Sequence, residues 1–191
     1  MTTTTATKPK FRTVDLAYVG IFAALMMIGA NIVSFLPFFV IAGVPITLQT
    51  FFAILAGILL GSRLGAISMT VYMLLGLIGL PVFAQFKGGL AMALSPTFGF
   101  IVSFIFLAWM VGKMTEGKKT VRPYIVAALI GTAFNYVFGT TWMYFAIKYI
   151  MEADITYLLA WAPMMAPLPK DIILAVFAGV FGLRMKKTLK L

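Results

Sequence analysis

TLQTFFAILAGILLGSRLGAISMTVYMLLGLIGL, residues 47–80, decides how many helices the chain contributes to a membrane. It holds two apolar runs, Thr47 to Leu60 and Leu64 to Leu80, with only Gly61, Ser62 and Arg63 between them. A spanning helix needs about 20 predominantly apolar residues, and the first run is short for one. Read as two spans, the stretch makes a six-helix protein; read as one, it makes five and puts the chain ends on opposite sides. Four further spans lie outward from it: Val14 to Leu36, Leu94 to Val111, Val121 to Tyr149 and Leu168 to Leu183.

Charge placement favours six. With the N-terminus inside, the inner segments carry Lys8, Lys10, Arg12, Arg63, Lys113, Lys118, Lys119, Arg122, Arg184, Lys186, Lys187 and Lys190. The outer segments carry Lys87, Lys148 and Lys170. An excess of Lys and Arg marks the cytoplasmic side, so both ends are expected there. Residues 1–13 read as a polar cytoplasmic tail and 14–191 as one six-helix transmembrane domain, all-α in class. The run after MTTTTATKPK is too long for a signal peptide, and no small-residue cleavage site follows it.

Composition excludes whole classes of function. The 191 residues are 62% hydrophobic and 10% charged, with 18 Phe and 13 Met; soluble domains carry nearer 25% charge. The net charge of +10 is spread in short clusters between apolar runs, not gathered on one wet face as nucleic-acid binding requires. There is no Cys and no His, which removes thiolate nucleophiles, zinc sites and imidazole bases. No G-x-x-x-x-G-K-[ST] loop is present for ATP. The five acids, Asp15, Glu116, Glu152, Asp154 and Asp171, avoid the helix midpoints where an ion or proton relay would sit. The chain therefore has no energy source of its own.

The outer connections are long and rich in proline (Pro37, Pro45, Pro81, Pro163, Pro167, Pro169). Proline fixes φ and holds loops in one shape, and shaped loops on a helical scaffold are where binding groups sit. In VPITLQTFF, Gln49 offers two donors and an acceptor, suited to a urea or amide; capping by Thr47 and a helix–helix bond are the alternative use. In LPVFAQFKGGL, Phe83 and Phe86 offer apolar walls, Gly88 and Gly89 close backbone approach, and Lys87 a cation for a headgroup or an anionic ligand. Asn135, Gly139 and Trp142 recur at helical spacing, with Tyr136, Thr140 and Tyr144 adjacent; such a stripe glues helices or lines a cavity. In APLPKDII, Lys170 and Asp171 open a helix near the membrane, where an unpaired carboxylate is costly. Asp171 either pairs with a base or accepts bonds from a ligand.

Together these segments resemble the BioY family, the biotin-specific S components of energy-coupling-factor (ECF) vitamin transporters. The likeness runs from about Ala17 to Ala178 and rests on PITLQTFFAILAGILLGSRLG, VYMLLGLIGLPVFAQFKGG, SPTFGF and LPKDIILAVFA. Three departures stand out. Leu174 occupies the position of the family's usual Lys, and Lys170 that of a small residue; SPTFGF (Ser95 to Phe100) replaces a glycine-richer stretch. The resemblance implies a membrane subunit that binds biotin with high affinity at the outer face of the cell membrane. It is not an enzyme and needs no cofactor, and ATP is used only by its partners, a transmembrane coupling protein and two cytoplasmic ATPases. The expected ligand residues are Gln49, Phe83, Lys87, Gly89, Asn135, Tyr136, Trp142, Lys170 and Asp171. Ala17, Gly20 and Ala24, with Ala23 beside them, form a small-residue patch on the first helix for the coupling contact; packing within the chain is its other possible use. Competing readings are an S component for another vitamin, such as thiamine or riboflavin, and a stand-alone biotin facilitator. A membrane enzyme lacks the residues for its chemistry.

Overall fold

The computed structural model describes residues 12–35, 40–41 and 44–189. Its helices are α1 (Thr13–Asn31), α2 (Gln49–Leu77), α3 (Phe98–Thr115), α4 (Val121–Phe145), α5 (Tyr157–Trp161) and α6 (Leu168–Thr188). A two-residue antiparallel ladder, β1 (Val40–Ile41) with β2 (Val44–Pro45), precedes α2. Residues 1–11 of the tail, Pro37 and Lys190 lie outside the described residues; Arg12 caps α1 and Thr13 opens it. Among those described, α1, α2, α3 and residues 121–150 are each long and apolar enough to cross a membrane. A fifth candidate is Tyr157–Met165 joined to Leu168–Thr188 across a 62° bend.

The helix α2 is not one rod. Gly61 has φ 79° and ψ 176°, a region open essentially to glycine, and the chain reverses there. Gln49 and Tyr72, which a straight helix would separate by about 34 Å at 1.5 Å per residue, are hydrogen-bonded at 3.0 Å. A methyl group on Gly65 would meet the Ala56 carbonyl at 3.1 Å. Residues 49–60 and 62–77 are thus two antiparallel arms, and the structure has six principal helical segments rather than five. The arms are about 18 and 24 Å long, which is why the pair was hard to separate by apolar length alone.

Other boundaries shift modestly from the sequence reading. The first span stops at Asn31 and closes in a 3-10 turn, Ile32–Phe35. The fourth starts at Phe98, four residues after Leu94, because Leu90–Leu94 is itself a 3-10 turn. The fifth ends in a π-helical turn, Ala146–Ile150. The sixth runs on to Thr188, with Lys186 and Lys187 in its last turn, where cations complement the helix dipole.

Glycines close the helix pairs. Gly29 of α1 lies under Phe52, Gly57 of α2 against Ala108 of α3, Gly131 of α4 against Leu107, and Gly179 of α6 on the backbone of Tyr124 and Ile125. In lipid, apolar surface gains little by leaving the solvent, so close van der Waals approach through small residues drives association. The core that results includes Met26, Ile54, Ile58, Met69, Leu107 and Val111, all fully buried.

The two ends of the bundle differ as the charges require. One gathers the Gly61 turn, the start of α1, the α3–α4 turn and the end of α6; there Lys186 Nζ reaches the Ile58 carbonyl at 3.4 Å. The other gathers the end of α1, the start of α2, the loop 82–89 and the start of α6.

Gly61→Ala should lose roughly 1–3 kcal/mol through backbone strain alone, since a Cβ there meets nothing within 4 Å. Gly20→Ala, equally open but helical, should be neutral or gain up to about 1 kcal/mol. Thermal unfolding of the two proteins in detergent checks the contrast; equal midpoints would remove the hairpin argument.

Candidate functional site

At the end opposite the Gly61 turn, α2, α4 and α6 meet around a carboxylate. Asp171, in the first turn of α6, is 5% exposed. The Tyr136 hydroxyl of α4 donates to its Oδ2 at 2.6 Å. Lys170 Nζ lies 2.7 Å from Oδ1 and also donates to the Thr47 carbonyl just before α2. The ammonium contact neutralises the charge without hydrogen-bond geometry, so Oδ1 has no hydrogen-bond partner among the described residues. One turn beyond Tyr136, the buried Thr140 hydroxyl is unpartnered as well. Buried polar atoms nearly always find partners; Oδ1 is answered by the ammonium at 2.7 Å, while the Thr140 hydroxyl leaves one hydrogen bond unmade a turn beyond Tyr136.

Beside this cluster stands a chain of amide and phenol groups. Gln49 Nε2 donates to Tyr72 Oη at 3.0 Å, and Tyr72 Oη donates to the Val82 carbonyl at 3.1 Å. Asn31 Nδ2 donates to the same carbonyl at 3.3 Å, while Asn31 Oδ1 accepts from the Phe86 N–H at 2.7 Å. The end of α1, both arms of α2 and the loop 82–89 are thereby locked to one another.

The sequence-derived candidates fall into three groups. Tyr136, Lys170 and Asp171 come together directly, and Gln49 stands two residues from Thr47, which Lys170 contacts. Phe83, 1% exposed, packs edge-on to Tyr72 at 5.6 Å; it supports the Gln49–Tyr72 pair from behind. Asn135 and Trp142 face α3: Asn135 Nδ2 donates to Ser103 Oγ at 2.5 Å, and Trp142 Nε1 donates to the Ser95 carbonyl at 3.0 Å. Gly139 lies under the Phe100 ring. Asn135, Gly139 and Trp142 thus pack toward α3 and the turn before it, while Tyr136 turns toward Asp171.

Lys87 is exposed on the loop 82–89. Gly89, with φ 102°, donates its N–H to the Gly76 carbonyl at 2.7 Å, so its role in this structure is to shape the loop. A hollow of about 570 Å³ beside α5, lined by Tyr157, Leu158, Trp161, Ala162 and Met165, includes none of the expected residues.

Tyr72 and Asn31 were missed in the sequence. Each is a single polar residue inside an apolar run, the signal that marks a buried hydrogen-bonding group in a membrane. On the first helix, Ala17, Gly20 and Ala24 are exposed, and a Cβ on Gly20 would meet nothing within 4 Å. Among the described residues, nothing packs on Gly20 of this patch. Ala23, grouped with them by proximity, is instead 5% exposed in the core.

The BioY family profile matches residues 2–191. The chain belongs to the BioY family. It is 46% identical over 171 residues to BioYB of Bacillus subtilis (strain 168), covering 87% of this chain and 84% of that protein. With the biotin transporter BioY of Thermotoga maritima it shares 35% over 168 residues, 88% of this chain and 93% of the other. The crystal structure of the S-component for biotin from an ECF-type ABC transporter superposes with a TM-score of 0.74 at 26% identity, covering 93% of this chain and 95% of that one. This BioY protein is a multi-pass membrane protein of a transporter family. Its Lys170 sits one turn before Leu174, on the same side of α6, with its ammonium already beside the carboxylate.

Tyr72→Phe leaves Gln49 Nε2 and one bond to the Val82 carbonyl unmade, a cost of roughly 1–3 kcal/mol for stranded buried groups. Tyr149→Phe, at an exposed ring, should cost little. Thermal unfolding separates them; parity between the two variants would show that the network carries no stability.

Proposed function

We propose that the chain captures biotin at the Asp171 end of the bundle, as the high-affinity S component of an ECF-type ABC importer in the prokaryotic plasma membrane. Its polar tail and both ends face the cytoplasm, where the basic residues are concentrated. The observation that carries the reading is the buried Asp171 carboxylate, held between the Tyr136 hydroxyl and the Lys170 ammonium where α2, α4 and α6 meet. The ureido ring of biotin has two N–H donors and one carbonyl. A carboxylate matches the donors and an amide N–H the acceptor; Asp171 and Gln49 supply them.

Lys170 is the better partner for the valerate carboxylate than Lys87, because it is already at the cluster and 29% exposed at its side chain. Tyr136 flanks the apolar part of the ligand, while Phe83 and Trp142 hold the walls in place. A cationic vitamin would meet Lys170 at the same spot, which disfavours thiamine. The chain binds its ligand without ATP. Concentration inside the cell needs an external energy source, supplied by a transmembrane coupling protein and two cytoplasmic ATPases docked through Ala17, Gly20 and Ala24 of α1.

Equilibrium binding of labelled biotin to the purified chain should be saturable without nucleotide. Asp171→Asn should weaken it by roughly 1.5–3 kcal/mol, the range of a charge-assisted bond; undiminished binding by a folded variant would sink the site. Lys170→Ala should abolish the preference for biotin over its uncharged amide, and retention of that preference would place the carboxylate elsewhere. Gly20→Trp should stop vesicle uptake with the ATPase module while sparing biotin affinity, whereas concentrative uptake by the lone chain would contradict the division of labour.

A further inference from the structure

At the end of the bundle away from Asp171, a cleft of about 670 Å³ is lined by Lys118, Lys119, Lys186 and Lys187 over a floor of Tyr124 and Leu183. Two elements deliver the lysines in pairs. Gly117, with φ 68°, turns the chain between α3 and α4, and the Tyr124 hydroxyl donates to the Lys118 carbonyl at 3.0 Å, which pins that turn to α4. Gly179 seats α6 on the backbone of Tyr124 and Ile125, so the last turn of α6 arrives beside the same turn.

None of the four ammonium groups has a carboxylate within 4.0 Å among the described residues. The nearby Glu116 is taken by Lys113 at 3.1 Å, and among the described residues the cleft ammonium groups make one hydrogen bond, the long contact of Lys186 with the Ile58 carbonyl. Orientation in a membrane requires basic residues on one side; it does not require four of them around one concavity, where they repel each other. A bound anion offsets that repulsion.

We infer that this cleft is a binding site for the phosphate of an anionic phospholipid, independent of the biotin site. The bundle's own geometry selects a lipid over a soluble phosphate. The cleft lies where α4 and α6 leave the apolar span, its floor is the apolar body of Tyr124 and Leu183, and the first turns of α4 expose Val121 and Val126. A headgroup phosphate among the lysines places acyl chains along that surface, a combination known for basic pockets between membrane helices. A soluble anion would leave the apolar part of the lining unused.

The test follows thermal unfolding of the full chain in neutral detergent while phosphatidylglycerol, phosphatidylcholine or sodium phosphate is added at constant ionic strength. Phosphatidylglycerol should give a saturable rise in midpoint, and the other two little or none. The paired variants Lys118→Gln/Lys119→Gln and Lys186→Gln/Lys187→Gln should each lose at least half of the rise, while Lys148→Gln at the far end keeps it. An equal rise with both lipids, an equal rise with phosphate alone, or an undiminished rise in both paired variants would overturn the assignment. Native mass spectrometry of the unmutated chain gives a readout that needs no variant. One retained phosphatidylglycerol, with phosphatidylcholine lost, supports the site, and equal retention of the two overturns it.

Discussion

A carboxylate buried at the membrane face must be neutralised where it stands, and the arrangement around Asp171 follows from that requirement. Lys170 supplies the charge, Tyr136 the hydrogen bond, and the Thr47 carbonyl fixes Lys170 in turn. Those contacts join the starts of α2 and α6 to the middle of α4, which no apolar packing would position with the same specificity. Removing one partner of a buried charge costs several kcal/mol, because the other is left unpaired. The cluster therefore fixes the geometry of the outer end as well as its chemistry, and the amide chain through Gln49, Tyr72, Val82 and Asn31 extends the same logic to α1 and the loop 82–89.

Much of the fold was legible in the residues. Apolar runs gave the spans to within a few positions, and the one real ambiguity, residues 47–80, was settled by a backbone angle at Gly61 that no hydropathy profile contains. The 3-10 turns at 32–35 and 90–94 displaced two helix ends because short apolar segments read alike whether they are α-helix or tight turn. The brief helix α5 lay in a connection whose proline content announced shape without giving its form.

The site was legible in part. Asp171 and Lys170 stood out because charge near a membrane demands an explanation, and Gln49 because an amide in an apolar context demands a partner. Asn135 and Trp142 shared a helix stripe with Tyr136, and spacing alone could not tell which face looked at α3 and which at α6. Ser103 and Phe100 on α3, with Ser95 in the turn before it, decide that division, and they are distant in sequence. Asn31 and Tyr72 carried the same signal as Gln49 and went unremarked since each was hidden in a longer apolar run.

The two ends of the molecule thus divide its polar chemistry: an acid-centred, hydrogen-bonded cluster at one and a lysine-lined cleft at the other. The most direct check on that division is hydrogen–deuterium exchange of the chain in lipid nanodiscs with and without biotin. The account predicts added protection confined to the starts of α2 and α6, the middle of α4 and the loop 82–89, with the α3–α4 turn and the end of α6 unchanged. Protection at the lysine-lined end alone, or none at the start of α6, would contradict it.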